Sequence, residues 1–275
     1  MLTAYILVND VARSWDFCFR EYAFCRSPHD FHTKTFTTTM LQEEKMVWVK
    51  ICGLTNVKDA VTAAALGADA LGAVLVEASP RLVTTEQARE MFSEVEAELS
   101  RLKLKKPAFV AVTTAECPEE VLKLETELRG AGVTHVQLHG EEPPSLVRAL
   151  KKQGLKLEII KKIGVGDADA DELVKRAIAY AVAGADAILL DTQAETLGGS
   201  GRTHDWRLSR VVTSALRGRT KVILAGGLNP ENVEAAVKTV KPFGVDVSSG
   251  VELRKGKKDA EKIKKFIERA KSAEG

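Results

Sequence analysis

Six short stretches place polar side chains or glycines directly after apolar runs. They are Cys52-Gly53, EASPR at 77–81, Gln137 to His139, DTQAETLGGSGRTHDW at 191–206, Gly226-Gly227, and SSGVE at 248–252. The last two suggest a chemistry by themselves. Glycines let backbone N–H groups approach an anion closely, and a helix start behind them adds the positive end of its dipole, which suits a phosphate. AGGLNP and SSGVE therefore nominate Gly226, Gly227, Ser249 and Gly250 as phosphate-binding positions, joined by Gly199 and Gly201 of the longer glycine-rich stretch. A phosphorylated small molecule is implied rather than a dinucleotide, because no G-x-G-x-x-G opens the first unit. The thiol needs its own explanation. Most free cysteines are small buried hydrophobes, so Cys52 is of chemical interest only if its run ends at the mouth of a site.

The elements decide that question. From Val47 onward, short β-branched runs alternate with longer amphipathic ones, and strands are expected at 47–52, 70–76, 108–113, 133–138, 155–163, 186–190, 220–225 and 244–248. Helices follow them. Thr84 or Thr85 is expected to cap TTEQAREMFSEVEAEL, prolines open PPSLVRALKKQG with Gly154 stopping it, and Asn229 with Pro230 is expected to start NPENVEAAVKTVK. Gly67, Gly132 and Gly184 recur just before strands, where helix-to-strand turns need them. Eight βα units in about 230 residues predict an α/β fold, a closed (β/α)8 barrel, and the count of eight favours closure over an open doubly wound sheet. In such a barrel the sites lie at the C-terminal strand ends, which is where all six stretches fall. Cys52 would then point into a catalytic mouth.

Composition limits the partners. The chain has 275 residues, 45% hydrophobic, with 40 Lys and Arg interleaved with 38 Asp and Glu, so neither a nucleic-acid tail nor a membrane-binding patch is indicated. Apolar runs are too short for a membrane span, and Asp10 and Arg13 interrupt the N-terminal one too early for a signal peptide. The four cysteines share no C-x-x-C spacing, so reduced thiols and a cytoplasmic location are expected, with no metal site. Residues 1–45 hold eight of the fifteen aromatics and read as a separate N-terminal extension ahead of a barrel at 46–275.

The chain also resembles a family. VKICGLTNVKDAVTAAALGADALGAVL, SPRLVTTEQA, VQLHGEE, ILLDT with GGSGRTHDW, LAGGLNPENVEAAV, and FGVDVSSGVE with GKKD resemble phosphoribosylanthranilate isomerase in order and spacing over residues 48–272. That resemblance implies a cofactor-free barrel of tryptophan biosynthesis, acting as a monomer or homodimer on a small phosphosugar. It implies an Amadori rearrangement of N-(5-phosphoribosyl)anthranilate to its 1-deoxyribulose isomer. The family's general base falls on Cys52 and its general acid on Asp191. Its S-P-R arginine falls on Arg81, suited to the anthranilate carboxylate, and His139 of QLHG becomes a pocket-lining candidate.

The chemistry asks for those residue types. An acid must protonate the ring oxygen and open the furanose to an iminium, and a base must remove the C2 proton to give an enolamine. Asp191 could be protonated in a desolvated site, whereas Cys52 must act as thiolate, for which helix-start N–H groups would help. The substrate's own amine and carboxylate can share the proton traffic, so no metal or nicotinamide is required. The bland alternatives are a buried apolar Cys52, a loop-anchoring Asp191, a solvated Arg81 and a His139 that merely joins loops. The glycine-rich stretch reads as a cover over the substrate, with Asp205 capping the next helix. The third strand departs from the family: VAVTTAECPEE stands where a valine-asparagine pair is usual. Residues 1–45 have no family counterpart, and MVWVKICG reads as the natural start. The histidine-pathway isomerase uses a strand-1 carboxylate, which Cys52 argues against. The indole-forming barrel leans on strand-end lysines, whereas Lys50 sits inside its strand. A non-catalytic phosphate-binding scaffold is the remaining alternative.

Overall fold

The computed structural model describes residues 46–166, 169–192 and 203–273. Gly199, Gly201 and the expected N-terminal extension lie outside the described residues. Eight parallel strands pair in chain order: β1 (Trp48–Ile51), β2 (Ala70–Val74), β3 (Ala108–Thr113), β4 (Val133–Leu138), β5 (Glu158–Val165), β6 (Ala187–Thr192), β7 (Lys221–Leu224) and β8 (Gly244–Val247). The barrel closes where β1 pairs with β8, Lys50 opposite Asp246 and Ile51 opposite Val247. Helices α1 (Val57–Ala65), α2 (Thr85–Arg101), α3 (Pro118–Glu127), α4 (Pro144–Lys152), α5 (Ala170–Ala183), α6 (Trp206–Ala215) and α7 (Val233–Val240) connect consecutive strands. After β8 come a 3-10 turn (Ser249–Val251), a hairpin of β9 (Glu252–Arg254) and β10 (Lys257–Lys258), and α8 (Ala260–Ser272). Among the described residues no helix is long and apolar enough to cross a membrane.

The period of two sorts each strand into an inner and an outer face. Ala70, Val110, Val112, Ile160, Ala187, Leu189, Ile223 and Ala225 fill the barrel with Cys52. The outward residues meet the helices. Phe109 stacks on Phe92 of α2 with ring centroids 4.6 Å apart, and Ala88, Met91, Val95 and Leu99 bury the rest of that helix face. Each fully buried large side chain there contributes about 1.5–3 kcal/mol of hydrophobic transfer. Local signals set the boundaries. Thr84 forms a reciprocal capping box with Gln87, Gly184 ends α5 with φ of 107°, and Gly154 follows α4 with φ of 82°.

Two boundaries differ from expectation by three residues, the other strand ends by no more than two. β5 starts at Glu158 because the residues before it finish the preceding turn, with Leu155 N–H donating to Leu150 O and Lys156 N–H to Glu125. Helix α7 starts at Val233, three residues after the expected Pro230, because Asn229 does not cap it as expected. Asn229 Oδ1 instead accepts from the N–H groups of Glu231 and Asn232, while Asn232 ties back to Asn229 N and Gly227 O. The asparagines lock the loop behind Gly226 and Gly227. The β9–β10 hairpin was not foreseen.

Candidate active site

Cys52 stands one residue past β1, and alternation puts it on the same inward face as Lys50 and Trp48. Its backbone N–H donates to Val247 O on β8, which fixes the corner at the C-terminal mouth of the barrel. Gly53 follows because it adopts φ of 70°, and because a Cβ there would collide with the Arg81 side chain and Ser248 Oγ. The glycine thus lets Arg81 cross directly over the strand end. Gly72 on β2 gives similar room to the thiol: a Cβ on it would sit 2.9 Å from Cys52 Sγ and 3.2 Å from Lys50 Cε. Burial pushes the Cys52 thiol up from its ordinary value; Lys50 and Lys258 pull it down, and Asp246 pushes it further up.

Beneath Cys52 lies a pair that the sequence reading did not assign. Lys50 is fully buried, with Nζ 2.9 Å from Asp246 Oδ1 on β8. Burial works against its ammonium, but Asp246 and then Cys52 outweigh that and hold it charged. The signal for Lys50 was available, since it precedes Cys52 by two residues and so shares its face. Asp246 likewise precedes Ser248 by two.

Asp191 ends β6 with its side chain about a quarter exposed. Burial, reinforced by the Asp246 carboxylate and opposed by Lys162, raises its pKa from 3.8 to about 6. That makes it a credible proton donor near neutrality. His139 stands next to it, Nε2 lying 4.0 Å from Asp191 Oδ2. Burial and the nearby Lys162, Lys50 and Lys161 depress His139 to about 4, so its ring is neutral. Gln137 Nε2 is 3.1 Å from His139 Nδ1, which places the ring hydrogen on Nε2, toward Asp191. Gln137 Oε1 is buried with no hydrogen-bond partner among the described residues. Thr192, the next residue, contacts His204 Nδ1 at 3.0 Å, and His204 Nε2 contacts Ser209 at 2.6 Å. His204 therefore fastens the chain ahead of α6 to the strand end carrying Asp191. Asp205 caps α6 as expected, accepting from Arg207 N–H.

Arg81 is no solvated loop residue. It is 5% exposed, and Glu252 of β9 holds it bidentately, Nε–Oε1 2.7 Å and Nη2–Oε2 2.8 Å. Lys258 of β10 completes the cluster, its Nζ 3.0 Å from both Glu252 Oε1 and Ser248 O. Nη1 is the Arg81 nitrogen that Glu252 does not engage. Glu252 belongs to the SSGVE stretch, but its pairing with Arg81 and the part played by Lys258 depend on the unforeseen hairpin.

Cys52, Arg81, Gln137, His139, Asp191 and Asp246 all line one cavity of about 120 Å³. A larger cavity of about 590 Å³ opens at the opposite end of the barrel, around Lys221 and Lys241, and contains none of these groups. The expected phosphate glycines form a second cluster beside the first. Gly226 and Gly227 follow β7 with φ of 85° and 65°, and a Cβ on Gly250 would collide with Leu228 O. The loops after β7 and β8 therefore pack backbone to backbone, with Ser249 and Gly250 in the 3-10 turn. Neither Gly226, Gly227, Ser249 nor Gly250 lines the Cys52 cavity itself. Among the described residues no group of three His, Cys, Asp or Glu side chains could hold a metal ion.

Comparison with known proteins gives one consistent family. The family model described as N-(5'phosphoribosyl)anthranilate (PRA) isomerase matches residues 49–269. N-(5'-phosphoribosyl)anthranilate isomerase of Methanocella arvoryzae is 41% identical over 224 residues, 81% of this chain and 97% of that protein. The Thermotoga maritima protein of the same name is 41% identical over 226 residues, 82% of this chain and 99% of the relative. A crystal structure of phosphoribosyl anthranilate isomerase from Thermotoga maritima superimposes with a TM-score of 0.68 at 39% identity, covering 82% of this chain and all of that one. Another, at TM-score 0.64 and 38% identity with the same coverage of both chains, holds reduced 1-(o-carboxyphenylamino)-1-deoxyribulose 5-phosphate.

Proposed function

The chain belongs to the N-(5'-phosphoribosyl)anthranilate isomerase family and catalyses the Amadori rearrangement of that aminosugar phosphate in tryptophan biosynthesis; from that premise we propose how its own residues divide the chemistry. Asp191 in its protonated form gives its proton to the furanose ring oxygen, and the C1–O bond breaks to leave an open-chain iminium. Cys52 as thiolate takes the C2 proton, and the electron pair flows to nitrogen to form the enolamine. Tautomerisation then gives the 1-amino-2-ketone. What carries this reading is that Cys52 and Asp191 line a single cavity, with a carboxyl tuned to about 6 on β6 and a thiol at the end of β1.

Arg81 meets the anthranilate carboxylate through Nη1, with Glu252 fixing the guanidinium plane. Neutral His139 donates from Nε2 beside Asp191. Gly226, Gly227, Ser249 and Gly250 hold the phosphate through backbone N–H groups, with Gly199 and Gly201 contributing from the loop after β6. The catalytic unit is residues 46–275, and residues 1–45 take no part. The protein works in the cytosol as a monomer or homodimer, without a cofactor; the solved Thermotoga maritima enzyme is itself described as dimeric, with monomers generated from it.

Loss of substrate fluorescence on adding the protein tests the activity directly. Cys52→Ala and Asp191→Asn should each lower kcat at least about a hundredfold with affinity for a product analogue nearly unchanged. Near-wild-type turnover in either would remove that residue from the mechanism.

A further inference from the structure

The barrel contains a buried cation whose partners among the described residues are a carboxylate and a thiol, with no backbone carbonyl. A lysine ammonium has three N–H donors, and a buried one normally satisfies them. Lys161 does, through Gly140 O at 2.7 Å, Glu142 Oε2 at 2.8 Å and Leu138 O at 3.4 Å. Lys50 is 0% exposed, and its partners are the Asp246 carboxylate, Nζ to Oδ1 2.9 Å, and the Cys52 side chain. Its side chain and that of Cys52 leave β1 on the same face and share the space over Gly72, the residue whose Cβ would strike both Sγ and Cε.

We propose that Lys50 is the positioning residue of the general base: held by Asp246 across the β1–β8 seam, its ammonium is the counter-charge against which Cys52 carries its thiolate. The inference rests on the assignment of Cys52 as base and explains how a thiol buried among alanines and valines is ionised at all. Lys50 keeps its protons throughout; the proton leaving C2 ends on sulfur, and forming the thiolate releases one to solvent. The other charged groups around the thiol are Asp246 on β8, Arg81 after β2, Lys258 on β10, and Asp191 with His139 across the cavity. Of the cations, Lys50 has the largest effect on Cys52, and the other two, Arg81 and Lys258, are already bound by Glu252.

The proposal has a kinetic signature. The acid titrates near 6 and burial pushes the thiol up from its ordinary value, so the productive pair, protonated Asp191 with ionised Cys52, is a minor form. Its fraction is constant across a plateau between the two titrations. The acid limb of kcat/KM then reports Asp191 and the alkaline limb reports Cys52. Removing the Lys50 charge should lower the plateau by at least about tenfold, move the alkaline limb up by the matching one unit, and shift the acid limb far less, because Lys50 is the weakest of the influences on Asp191. At sufficiently high pH the variant and wild type converge.

The test is the kcat/KM profile of full-length Lys50→Met and Lys50→Gln by fluorescence loss, with Cys52 alkylation by iodoacetamide followed against pH in a Cys18→Ser, Cys25→Ser, Cys117→Ser background. Matched displacement of the plateau, the alkaline limb and the alkylation midpoint supports the proposal. Unchanged midpoints overturn it, whether activity is retained or lost uniformly. If neither variant folds, the Lys50 15Nζ resonance of the otherwise wild-type chain decides: it should titrate with the alkylation midpoint and stop doing so in Cys52→Ser, and a resonance blind to Cys52 overturns the proposal. Full activity in Cys52→Ala would instead discard the base assignment, a separate failure.

Discussion

At the scale of single residues, Asp191 shows how a site is maintained at the expense of stability. Its folded pKa of about 6 lies above the ordinary 3.8. The fold thus favours the protonated carboxyl; that contribution is complete below pH 3.8 and is lost as pH rises through 6. Above this window a partly buried carboxylate is retained with Asp246 for a neighbour. Asp191→Asn, besides losing turnover, should therefore be more stable than wild type at about pH 8, by up to about 3 kcal/mol, and no more stable at about pH 3.5. Thermal melts at the two pH values would check this, and an equal effect at both would show that the ionised carboxyl is not strained. Arg81 has the opposite character, because Glu252 holds its charged form bidentately. Arg81→Ala should raise KM more than it lowers kcat, the carboxylate contact being common to ground and transition states. It should also lower Tm, since Glu252 loses a bidentate partner in a buried position. An unchanged KM would leave Arg81 with a structural role only.

At the scale of elements, register does what residue type alone cannot. Gly72 on β2 lies opposite Val110 of β3, and its missing side chain is the space that Lys50 and Cys52 occupy. Gly72→Ala would place a methyl group 3.3 Å from the Cys52 Cα, a backbone contact that cannot turn away. We expect at least about a tenfold loss of kcat/KM with Tm lowered by only a few degrees, read from parallel kinetics and melts. Full activity would mean the strand shifts freely. This glycine also marks where the sequence stops being legible. The strands, Thr84, Gly184 and Asp205 follow from periodicity and capping chemistry over a few neighbouring residues, and Cys52, Asp191, Arg81 and His139 stand out as polar groups at strand ends. Lys50–Asp246 and Arg81–Glu252 span 196 and 171 residues. Their pairing depends on which strand positions face each other once the ring closes, and on a hairpin whose turn, Lys255 and Gly256, carries no apolar pattern. Asn229 was misread for a related reason: a capping residue and a loop-locking residue look alike until the helix start is fixed.

At the scale of the whole molecule, the ring has no free sheet edge. β1 is hydrogen-bonded to β2 on one side and β8 on the other, so a preceding segment has no strand to complete. The family match begins at residue 49 and the relatives align over 82% of the chain. Deleting residues 1–45 should leave activity within about twofold and shift Tm by only a few degrees. Aggregation, or loss of most activity at the assay temperature, would show the extension to be integral to the barrel.

The seam between β1 and β8 joins the first strand of the barrel made during synthesis to the last strand of the barrel. Lys50 and Asp246 face each other across it in register, so the ion pair under Cys52 cannot exist in a nascent or half-wound chain, whatever secondary structure that chain has acquired. Until the final strand docks, the thiol is an ordinary one, open to oxidation and alkylation like any cysteine in an unfolded polypeptide. If Lys50 supplies the counter-charge proposed for Cys52, completion of the ring is the event that creates the base, and the onset of catalysis during refolding is a clock for closure of the barrel rather than for collapse.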